Sequence, residues 1–362
     1  MNDDELKIFQ KNLLKWFETE QRLLPWRIKY DPYEIWISEM MLQQTQVQTV
    51  LPYFKRWMAS LPSVESVALA GEDQILKLWE GLGYYSRARN IHKSAKKILE
   101  NFGGIFPSDY HHLMQLPGIG RYTAGAIASI AFNQQVPVVD GNVTRVICRI
   151  MNITEESSQA AIQHLLWETA QSWIPEHNAR HFNQAMMELG AMICQPQTPL
   201  CLICPVQMFC DSFKHGEPHK LPVKKARKTL TSLTVLTGVV EFQKLFLVRK
   251  RPDTGLMGGL WEFTSLEVGI NQPERMPEQI SNHLEQQYGI QTTKIDPLIS
   301  FKHTYTSFKV RLHSFIISCT GQGTVPQNES HVWMPFEKLA ELSFPAAHKK
   351  ILQHLTNLKG SS

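Results

Sequence analysis

The segment Leu116-Pro117-Gly118-Ile119-Gly120 joins two short apolar stretches and decides how this part of the chain folds. The stretch before it, Ser108 to Leu116, is amphipathic with Ser108 as its predicted N-cap, and Arg121 to Ala131 after it is a helix of small residues. Two glycines beside a helix start expose backbone N–H groups where the helix dipole is positive. The segment therefore predicts a tight turn between two helices that can bind a phosphate, although many helix–helix turns share this pattern.

The chain around this turn changes character once. Up to about Phe213, apolar residues recur at helical spacing from Ile8 to Phe17, Ile35 to Val50, Ile75 to Leu78 and Ala124 to Phe132. After about Thr229 come the strand-like runs Leu233 to Val240, Leu245 to Arg249 and Phe308 to Ile317, interrupted by a helical stretch from Pro277 to Tyr288. We predict an all-helical domain over 1–213, a linker over 214–229 and an α+β domain over 230–356.

Composition agrees with about two packed domains, because the 362 residues are 43% hydrophobic and only 19% charged. No apolar run approaches the roughly 20 residues of a membrane span. The first residues, Met1 to Glu5, are acidic where a signal peptide would be basic and then apolar. We therefore expect a cytoplasmic protein without a membrane partner, associated with the nucleoid if it is bacterial. Its cysteines should then be thiols or metal ligands.

Four cysteines lie close together in the sequence, at Cys194, Cys201, Cys204 and Cys210. Their spacing is C-x6-C-x2-C-x5-C, whereas a zinc ribbon has two C-x2-C pairs separated by a longer insert. A single dense loop of four thiolates better suits the larger volume of a [4Fe–4S] cluster, which we predict for the loop 194–210. No Gly-rich cofactor loop accompanies it, so a structural or sensing cluster is favoured over a redox catalyst.

A second polar position stands out in Val138-Val139-Asp140-Gly141-Asn142, twenty residues after Gly120. Apolar residues lead into Asp140, and a helix is predicted to start directly after it. Taken alone, this pattern favours a plain helix N-cap. Because Asp140 lies between the glycine turn and the cysteine loop, the three features together form a far more specific sequence pattern than any one of them.

These three features, in this order, resemble the helix–hairpin–helix DNA glycosylases that carry an iron–sulfur loop. The hairpin would be 108–132, and Asp140 would match the family's catalytic aspartate. Family members that also cleave the DNA backbone have a lysine just inside the second hairpin helix, whose amine forms a Schiff base with the sugar. Here Tyr122 follows Gly120-Arg121, and a tyrosine cannot form an imine. The resemblance therefore implies a monofunctional glycosylase.

The segment from Pro32 to Thr45 narrows the resemblance. Glu39 sits among Trp36, Met40 and Leu42, and an apolar setting raises the pKa of a carboxyl group so that it can hold a proton near neutral pH. An exposed glutamate on an amphipathic helix is the simpler interpretation of that residue alone. The whole segment, with Leu24–Arg27, Gly81–Asn90 and Phe182–Gly190, closely resembles the adenine DNA glycosylases, which excise adenine mispaired with 8-oxoguanine.

This resemblance implies roles for individual residues. Glu39 would protonate the purine, and Asp140 would stay ionised to stabilise the sugar cation, transiently or as a covalent adduct. Tyr122 and Asn142 would orient this pair. The implied substrate contacts are Trp26, Arg27, Leu42, Gln44, Thr45, Leu82, Tyr84 and Gln184, and the implied DNA-backbone contacts are Gly118, Gly120, Arg87 and Arg89.

The C-terminal part resembles the Nudix-like domain of the same family, through Arg249–Pro252 and Gly258–Phe263. The stretch from Asn282 to Gly289 keeps only scattered carboxylates, so we expect recognition of the lesion rather than pyrophosphate hydrolysis. Where the family has Phe-Ser-His, this chain has Tyr305-Thr306-Ser307. The loss of the imidazole at Ser307 predicts that 8-oxoguanine:A is still preferred over G:A, by a smaller margin.

The expected partner is double-stranded DNA with an 8-oxoguanine:A or G:A mispair, bound by a monomer. Related alternatives are a glycosylase for thymine opposite guanine and a non-catalytic lesion-binding protein. The mild net charge of +4 conceals two basic segments, Arg87–Lys97 and Lys214–Lys228, which each carry +5. Lys214–Lys228 is either a solvated linker or a segment that faces DNA.

Overall fold

The computed structural model describes residues 1–225, 230–269, 273–305, 308–325 and 330–360. The chain divides into two compact units. The N-terminal unit comprises Met1–Leu69 and Asn90–Ala226, and the C-terminal unit comprises Ala70–Arg89 and Arg227–Ser362. The segment Ala70–Arg89 thus groups with the C-terminal half of the chain, and the predicted boundaries at 213 and 230 stay predictions. No helix of the described residues combines the length and apolar character needed to cross a membrane.

The N-terminal unit is helical, as predicted. In chain order, the helices up to the linker are α1 (Asp3–Glu20), α2 (Pro32–Leu42), α3 (Val47–Ser60), α4 (Val64–Leu69), α5 (Glu72–Trp79, in the C-terminal unit), α6 (Ser86–Phe102), α7 (Tyr110–Met114), α8 (Arg121–Ile130), α9 (Gly141–Ile150), α10 (Ala160–Trp173), α11 (Ala179–Met192) and α12 (Asp211–Lys214). Short 3-10 turns lie at Pro25–Arg27, Cys201–Ile203, Gln207–Phe209 and Pro218–Lys220.

Helix α1 shows how these elements form and pack. The Asn2 side chain accepts a hydrogen bond from the Glu5 backbone N–H, and the Glu5 carboxylate accepts one from the Asn2 N–H, which completes a capping box. One apolar face, with Phe9 and Phe17, then packs in a core shared with α9, α10 and α11. Each fully buried side chain of this size contributes roughly 1.5–3 kcal/mol relative to exposure.

Two local predictions were wrong. The apolar period from Ile35 to Val50 is not one helix, because α2 ends at Leu42 and Gln44 has a left-handed backbone with φ 56°. The first hairpin helix is capped by Asp109 rather than Ser108, since the Asp109 side chain accepts from the His112 N–H at 2.9 Å. The helix therefore starts one residue later than predicted from a serine cap.

The hairpin itself forms as predicted, with α7 and α8 on either side of Leu116–Gly120. Leu116 and Ile119 are buried, whereas Gly118 and Gly120 are exposed. Gly118 has φ 75°, and a Cβ there would lie 2.6 Å from Asn90 Cβ. Only glycine fits this position, because both the backbone conformation and the close approach exclude a side chain.

The C-terminal unit is built on a mixed sheet, with α13 and α15 against it. Its elements are β1 (Thr231–Phe242), β2 (Leu245–Lys250), β3 (Trp261–Glu262), β4 (Thr264–Val268), a 3-10 turn (Pro273–Arg275), α13 (Met276–Tyr288), β5 (Thr292–Tyr305), β6 (Phe308–Cys319), β7 (His331–Pro335), α14 (Phe336–Leu339) and α15 (Ala346–Gly360). The strand order is β3-β2-β1-β6-β5, with β4 paired to β1 and β7 to β2. Only the β1–β6 pair of these described strands is parallel.

Alternation along β1 places apolar side chains on both faces of this sheet. Leu236 and Val240 pack with Ile280 and Leu284 of α13. Val239, between them in sequence, lies in the core that contains Ile351 and Leu355 of α15. The sheet is therefore covered by a helix on each face, and the β5–β6 pair extends to Tyr305 and Phe308.

Candidate active site

Helix α2 places Glu39 in a buried position. Asp31 caps the helix by accepting hydrogen bonds from the Tyr33 and Glu34 N–H groups, and Pro32 occupies the first turn, where its missing N–H costs nothing. Residues 35–41 are all buried, so the helix has no solvated face along this stretch. Glu39 is consequently only 5% exposed, and the simpler interpretation of an exposed glutamate is wrong.

Tyr122, in the first turn of α8, donates its hydroxyl to Glu39 Oε2 at 2.6 Å. Burial raises the pKa of the Glu39 carboxyl to about 7; the Tyr122 hydrogen bond and the Arg27 charge oppose this rise, and the Asp140 charge adds to it. Burial and the neighbouring Glu39 charge also hold the pKa of Tyr122 well above its ordinary value. Glu39 can therefore exist in either protonation state near neutral pH, beside a phenol that stays protonated.

Asp140 has a different set of partners. It is the N-cap of α9, and its Oδ1 accepts from the Val143 N–H at 2.7 Å. Its Oδ2 accepts from Asn142 Nδ2 at 2.8 Å. Burial raises the pKa of Asp140 above its ordinary value, although these hydrogen bonds and the Arg145 charge oppose the rise. The residue predicted to be the catalytic aspartate is thus also the N-cap of α9.

The amide of Asn142 is held in one orientation. Arg145 Nη2 donates to Asn142 Oδ1 at 2.9 Å, which leaves Nδ2 facing Asp140. Gly190 of α11 lies directly against this residue, since a Cβ there would be 2.6 Å from Asn142 Cβ. A side chain at 190 would therefore displace the residue that orients Asp140.

Glu39 and Asp140 line one cavity of about 560 Å³ in the N-terminal unit, named here the Glu39 cavity. It brings together the predicted residues Trp26, Arg27, Glu39, Leu42, Thr45, Tyr122, Asp140, Asn142 and Gln184. It is also lined by residues without a sequence prediction, among them Arg22, Ile35, Ile130, Met187 and Glu188. Gln44 is exposed and is not among the residues of this lining.

Glu188 organises one wall of the Glu39 cavity. Its carboxylate accepts from Arg22 Nε and Nη2 at 2.7 and 2.8 Å and from Arg27 Nη2 at 2.8 Å. Although burial opposes it, these hydrogen bonds from Arg22 and Arg27 lower the pKa of Glu188 to about 2. The sequence analysis did not predict a site role for Glu188 or Arg22. Glu188 lies in the segment Phe182–Gly190, but the local sequence pattern does not distinguish it from its neighbours, and no motif contains Arg22.

A second cavity, of about 410 Å³, lies within the C-terminal unit and is named here the Tyr84 cavity. It is lined by Tyr84 and its neighbours at 81–89, by 255–257, by His303, Thr304 and Tyr305 at the end of β5, and by Pro345 and Ala346. Tyr84 is 47% exposed with a left-handed φ of 49°, whereas the predicted contact Leu82 is buried. The predicted contacts Thr306 and Ser307 lie outside the described residues.

The predicted DNA contacts differ in accessibility. Gly118 and Gly120 are exposed at the hairpin turn. Arg87 is only 5% exposed, and its Nη2 donates to the Leu82 and Gly83 carbonyls at 3.1 and 3.0 Å. Arg89 donates to the Gly258 carbonyl. For Arg87, this position favours support of the loop 81–85, named here the Tyr84 loop, over direct contact with a phosphate.

The four clustered cysteines line one pocket together with Arg149. Arg149 Nη1 lies 3.2 Å from Cys194 Sγ, and burial raises the pKa of Cys194, Cys201 and Cys204. Among the described residues, no group of three His, Cys, Asp or Glu side chains is arranged to hold a single metal ion. Four thiols around one pocket nevertheless fit the donor set of a [4Fe–4S] cluster, whose irons are spread over a larger volume.

Two family models match parts of the chain. Residues 37–172 match the family model of the HhH-GPD superfamily base excision DNA repair proteins, and residues 236–354 match that of the NUDIX domain. Among solved structures, that of a thermostable thymine-DNA glycosylase is similar with a TM-score of 0.54 and 28% identity, covering 59% of this chain and 98% of that one.

Curated relatives are similar over nearly the full length. The adenine DNA glycosylase of Rattus norvegicus is 34% identical, covering 96% of this chain and 78% of its own. That of Buchnera aphidicola from Acyrthosiphon pisum is 34% identical, covering 96% of this chain and 97% of its own. At this identity over almost the whole sequence, the chain belongs to the adenine DNA glycosylases, DNA-binding hydrolases of base excision repair.

Proposed function

We propose that this enzyme removes adenine mispaired with 8-oxoguanine, and with guanine, by hydrolysing the N-glycosidic bond and leaving the DNA backbone intact. The observation that carries the proposal is the Glu39 cavity. It holds a buried acid with a pKa of about 7 in the same space as a second carboxyl group fixed by N–H donors. Such a pair suits the protonation of a leaving base and the stabilisation of a sugar cation.

Glu39 is the proposed general acid. Adenine leaves poorly as an anion, so its imidazole ring must gain a proton as the bond to the sugar breaks. A carboxyl group with a pKa near the working pH is populated in the protonated form and still releases its proton readily. After departure of the base, the resulting Glu39 carboxylate can accept a proton from the attacking water.

Asp140 is the proposed partner of the sugar. Its hydrogen bonds come from N–H donors, which can only donate, so they favour the ionised form that accepts. An ionised carboxylate stabilises the oxocarbenium-like sugar by charge or forms a transient covalent adduct, as the second carboxylate of a retaining glycosidase does. Water then completes the hydrolysis.

We expect no cleavage of the DNA backbone because the described residues of the Glu39 cavity offer no lysine amine to the sugar. A lyase step needs an amine nucleophile for a Schiff base. At the position where lyases of the superfamily have lysine, Tyr122 donates to Glu39 instead. No lysine is among the described residues that line the Glu39 cavity. The proposed reaction therefore stops at an abasic site.

Recognition of 8-oxoguanine is assigned by this proposal to the Tyr84 cavity. Two aromatic side chains, Tyr84 and Tyr305, line it and offer flat surfaces for a base, and Thr304 adds a hydroxyl group. Ser307, where the family has histidine, supplies no imidazole, so we expect a reduced margin over G:A. Helix α13 carries only Glu278 and Glu285 as carboxylates, which fits recognition rather than magnesium-dependent pyrophosphate hydrolysis.

We further propose that a [4Fe–4S] cluster is held by Cys194, Cys201, Cys204 and Cys210. When bound, such a cluster would cross-link the loop 194–210 through four thiolates. The loop packs on the core of the N-terminal unit through Val206 and Phe209, so its order bears on the fold around α9.

The test is a glycosylase assay on duplexes with 8-oxoguanine:A, G:A or G:T at one position, each with and without alkali. We expect adenine release from the first two, faster with 8-oxoguanine, and strand breaks only after alkali. Release of thymine from G:T would instead favour an activity like that of the similar thymine-DNA glycosylase. Equal rates for the two adenine mispairs would contradict lesion recognition, and breaks without alkali would contradict a monofunctional reaction.

A further inference from the structure

Glu80 directly precedes the loop that carries Tyr84, and both of its carboxylate oxygens are bound within the C-terminal unit. Oε1 accepts from the Phe344 backbone N–H at 3.0 Å, and Oε2 accepts from Lys349 Nζ at 2.6 Å. Glu80 is only 8% exposed. The Lys349 side chain is 40% exposed, so Glu80 is the buried member of the pair, and its second oxygen is held by a backbone N–H.

Lys77, one turn earlier on α5, contacts the same segment. Its Nζ donates to the Ala340 and Leu342 carbonyls at 2.7 and 2.9 Å and lies 3.4 Å from Glu80 Oε2. The C-terminal end of α5 is therefore attached at several points to the stretch between α14 and the first turn of α15.

The loop after Glu80 is held internally, so its position follows that of its first residue. Trp79 Nε1 donates to the Gly83 carbonyl at 3.1 Å, and the Gly81 N–H donates to Tyr85 Oη at 3.1 Å. Arg87 contacts two carbonyls of the same loop, and its guanidinium lies 5.5 Å from the Tyr84 ring centroid. A shift of Glu80 would thus be transmitted to Tyr84.

Helix α15 also contacts the strand that ends at Tyr305. Lys350, the residue after the partner of Glu80, places Nζ 4.4 Å from the Phe301 ring centroid on β5. Pro345 and Ala346, at the start of α15, line the Tyr84 cavity beside both tyrosines. The start of α15 therefore contacts Glu80, at the end of α5, through Lys349 and strand β5 through Lys350.

We infer that Glu80 is a positioning residue for lesion specificity, which through Lys349 and Phe344 holds Tyr84 at a fixed distance from Tyr305 at the end of β5. The two sides of the Tyr84 cavity can then contact the same mispair. This inference rests on the proposed recognition of 8-oxoguanine. It predicts that loosening this contact weakens discrimination between the two adenine mispairs more than it weakens adenine excision itself.

The test compares single-turnover excision from 8-oxoguanine:A and G:A at saturating enzyme. Glu80→Gln keeps an acceptor for the Phe344 N–H but loses the charge that pairs with Lys349. We expect the ratio of the two rates to fall about tenfold, equivalent to ~1.4 kcal/mol, with the G:A rate changed less than about twofold. Lys349→Met should act in the same way, and Lys349→Arg should restore most of the ratio.

The matched control is Glu241→Gln, which removes an ion pair to Lys359 near the other end of α15 and should leave the ratio unchanged. A wild-type enzyme without preference would contradict the proposed function. A wild-type preference that Glu80→Gln and Lys349→Met retain would overturn the inference. An equal loss on both mispairs, accompanied by a lower melting temperature, would also overturn it, because the contact would then serve folding alone.

Discussion

The two carboxyl groups in the Glu39 cavity differ in the hydrogen-bond donors that hold them. Asp140 is bound by a backbone N–H and by an Asn142 amide whose orientation is set by Arg145. Glu39 is bound by the Tyr122 hydroxyl, which can donate to a carboxylate or accept from a protonated acid. The donors at Asp140 therefore favour its ionised form against the effect of burial, whereas the Tyr122 hydroxyl can hold Glu39 in either protonation state.

This difference predicts the pH dependence of excision. The protonated fraction of Glu39 decreases above its pKa of about 7, so the single-turnover rate should fall about tenfold per pH unit on the alkaline side.

The Tyr122 hydrogen bond lowers the pKa of Glu39, so Tyr122→Phe should move this alkaline limb of the pH–rate profile to higher pH, whatever it does to the maximal rate. A limb that stays in place or moves to lower pH would contradict the assignment of Glu39 as the acid.

Among the elements, α6 presents a basic face beyond its first turn. Lys93, Lys96 and Lys97 are exposed and lie three and four residues apart, so they share one side of the helix. The basic segment Arg87–Lys97 predicted from the sequence thus contains Arg87, which contacts the Tyr84 loop, Arg89, which donates to the Gly258 carbonyl, and three exposed lysines.

Replacing these three lysines with glutamine should weaken binding to every duplex and reduce the slope of log K against log salt. Each phosphate contact contributes roughly 0.9 to this slope, so the loss should approach 3. The control variant replaces Lys7, Lys11 and Lys15, which are exposed on α1 and carry the same total charge. An equal change in slope for both variants would show that the effect comes from net charge and not from this face.

The sequence predicts those helices and strands whose hydrophobic periodicity is uninterrupted. The helix Met276–Tyr288 and the strands β1, β2 and β6 follow from periodicity. Strand β5 was not predicted, because Pro297 and a register shift between Pro297 and Ile299 interrupt its alternation. The break between α2 and α3 could not be predicted, because residues 43–46 contain no glycine or proline. The N-cap at Asp109 could not be predicted either, because Ser108 and Asp109 are adjacent and both residue types are good caps.

At the scale of the whole molecule, the Glu39 cavity joins residues that are far apart in sequence, from Arg22 to Glu188. Local pattern could suggest Glu39 and Asp140 one at a time, and only the resemblance to a family predicted that they meet. The resemblance did not predict the ion pair between Arg22 and Glu188. This pair forms only in the tertiary structure, where α11 packs close to the segment around the first 3-10 turn. The placement of Ala70–Arg89 in the C-terminal unit likewise depends on tertiary contacts.

The central claim is that Glu39 supplies the proton for adenine departure, and Glu39→Gln tests it most directly. Glutamine keeps an acceptor for Tyr122 but has no proton to give. Single-turnover excision from 8-oxoguanine:A should fall by at least about 100-fold, while the affinity for the same duplex stays within about threefold. Glu34→Gln, on the first turn of the same helix, should excise like the wild type. Excision by Glu39→Gln within tenfold of the wild-type rate would contradict the account.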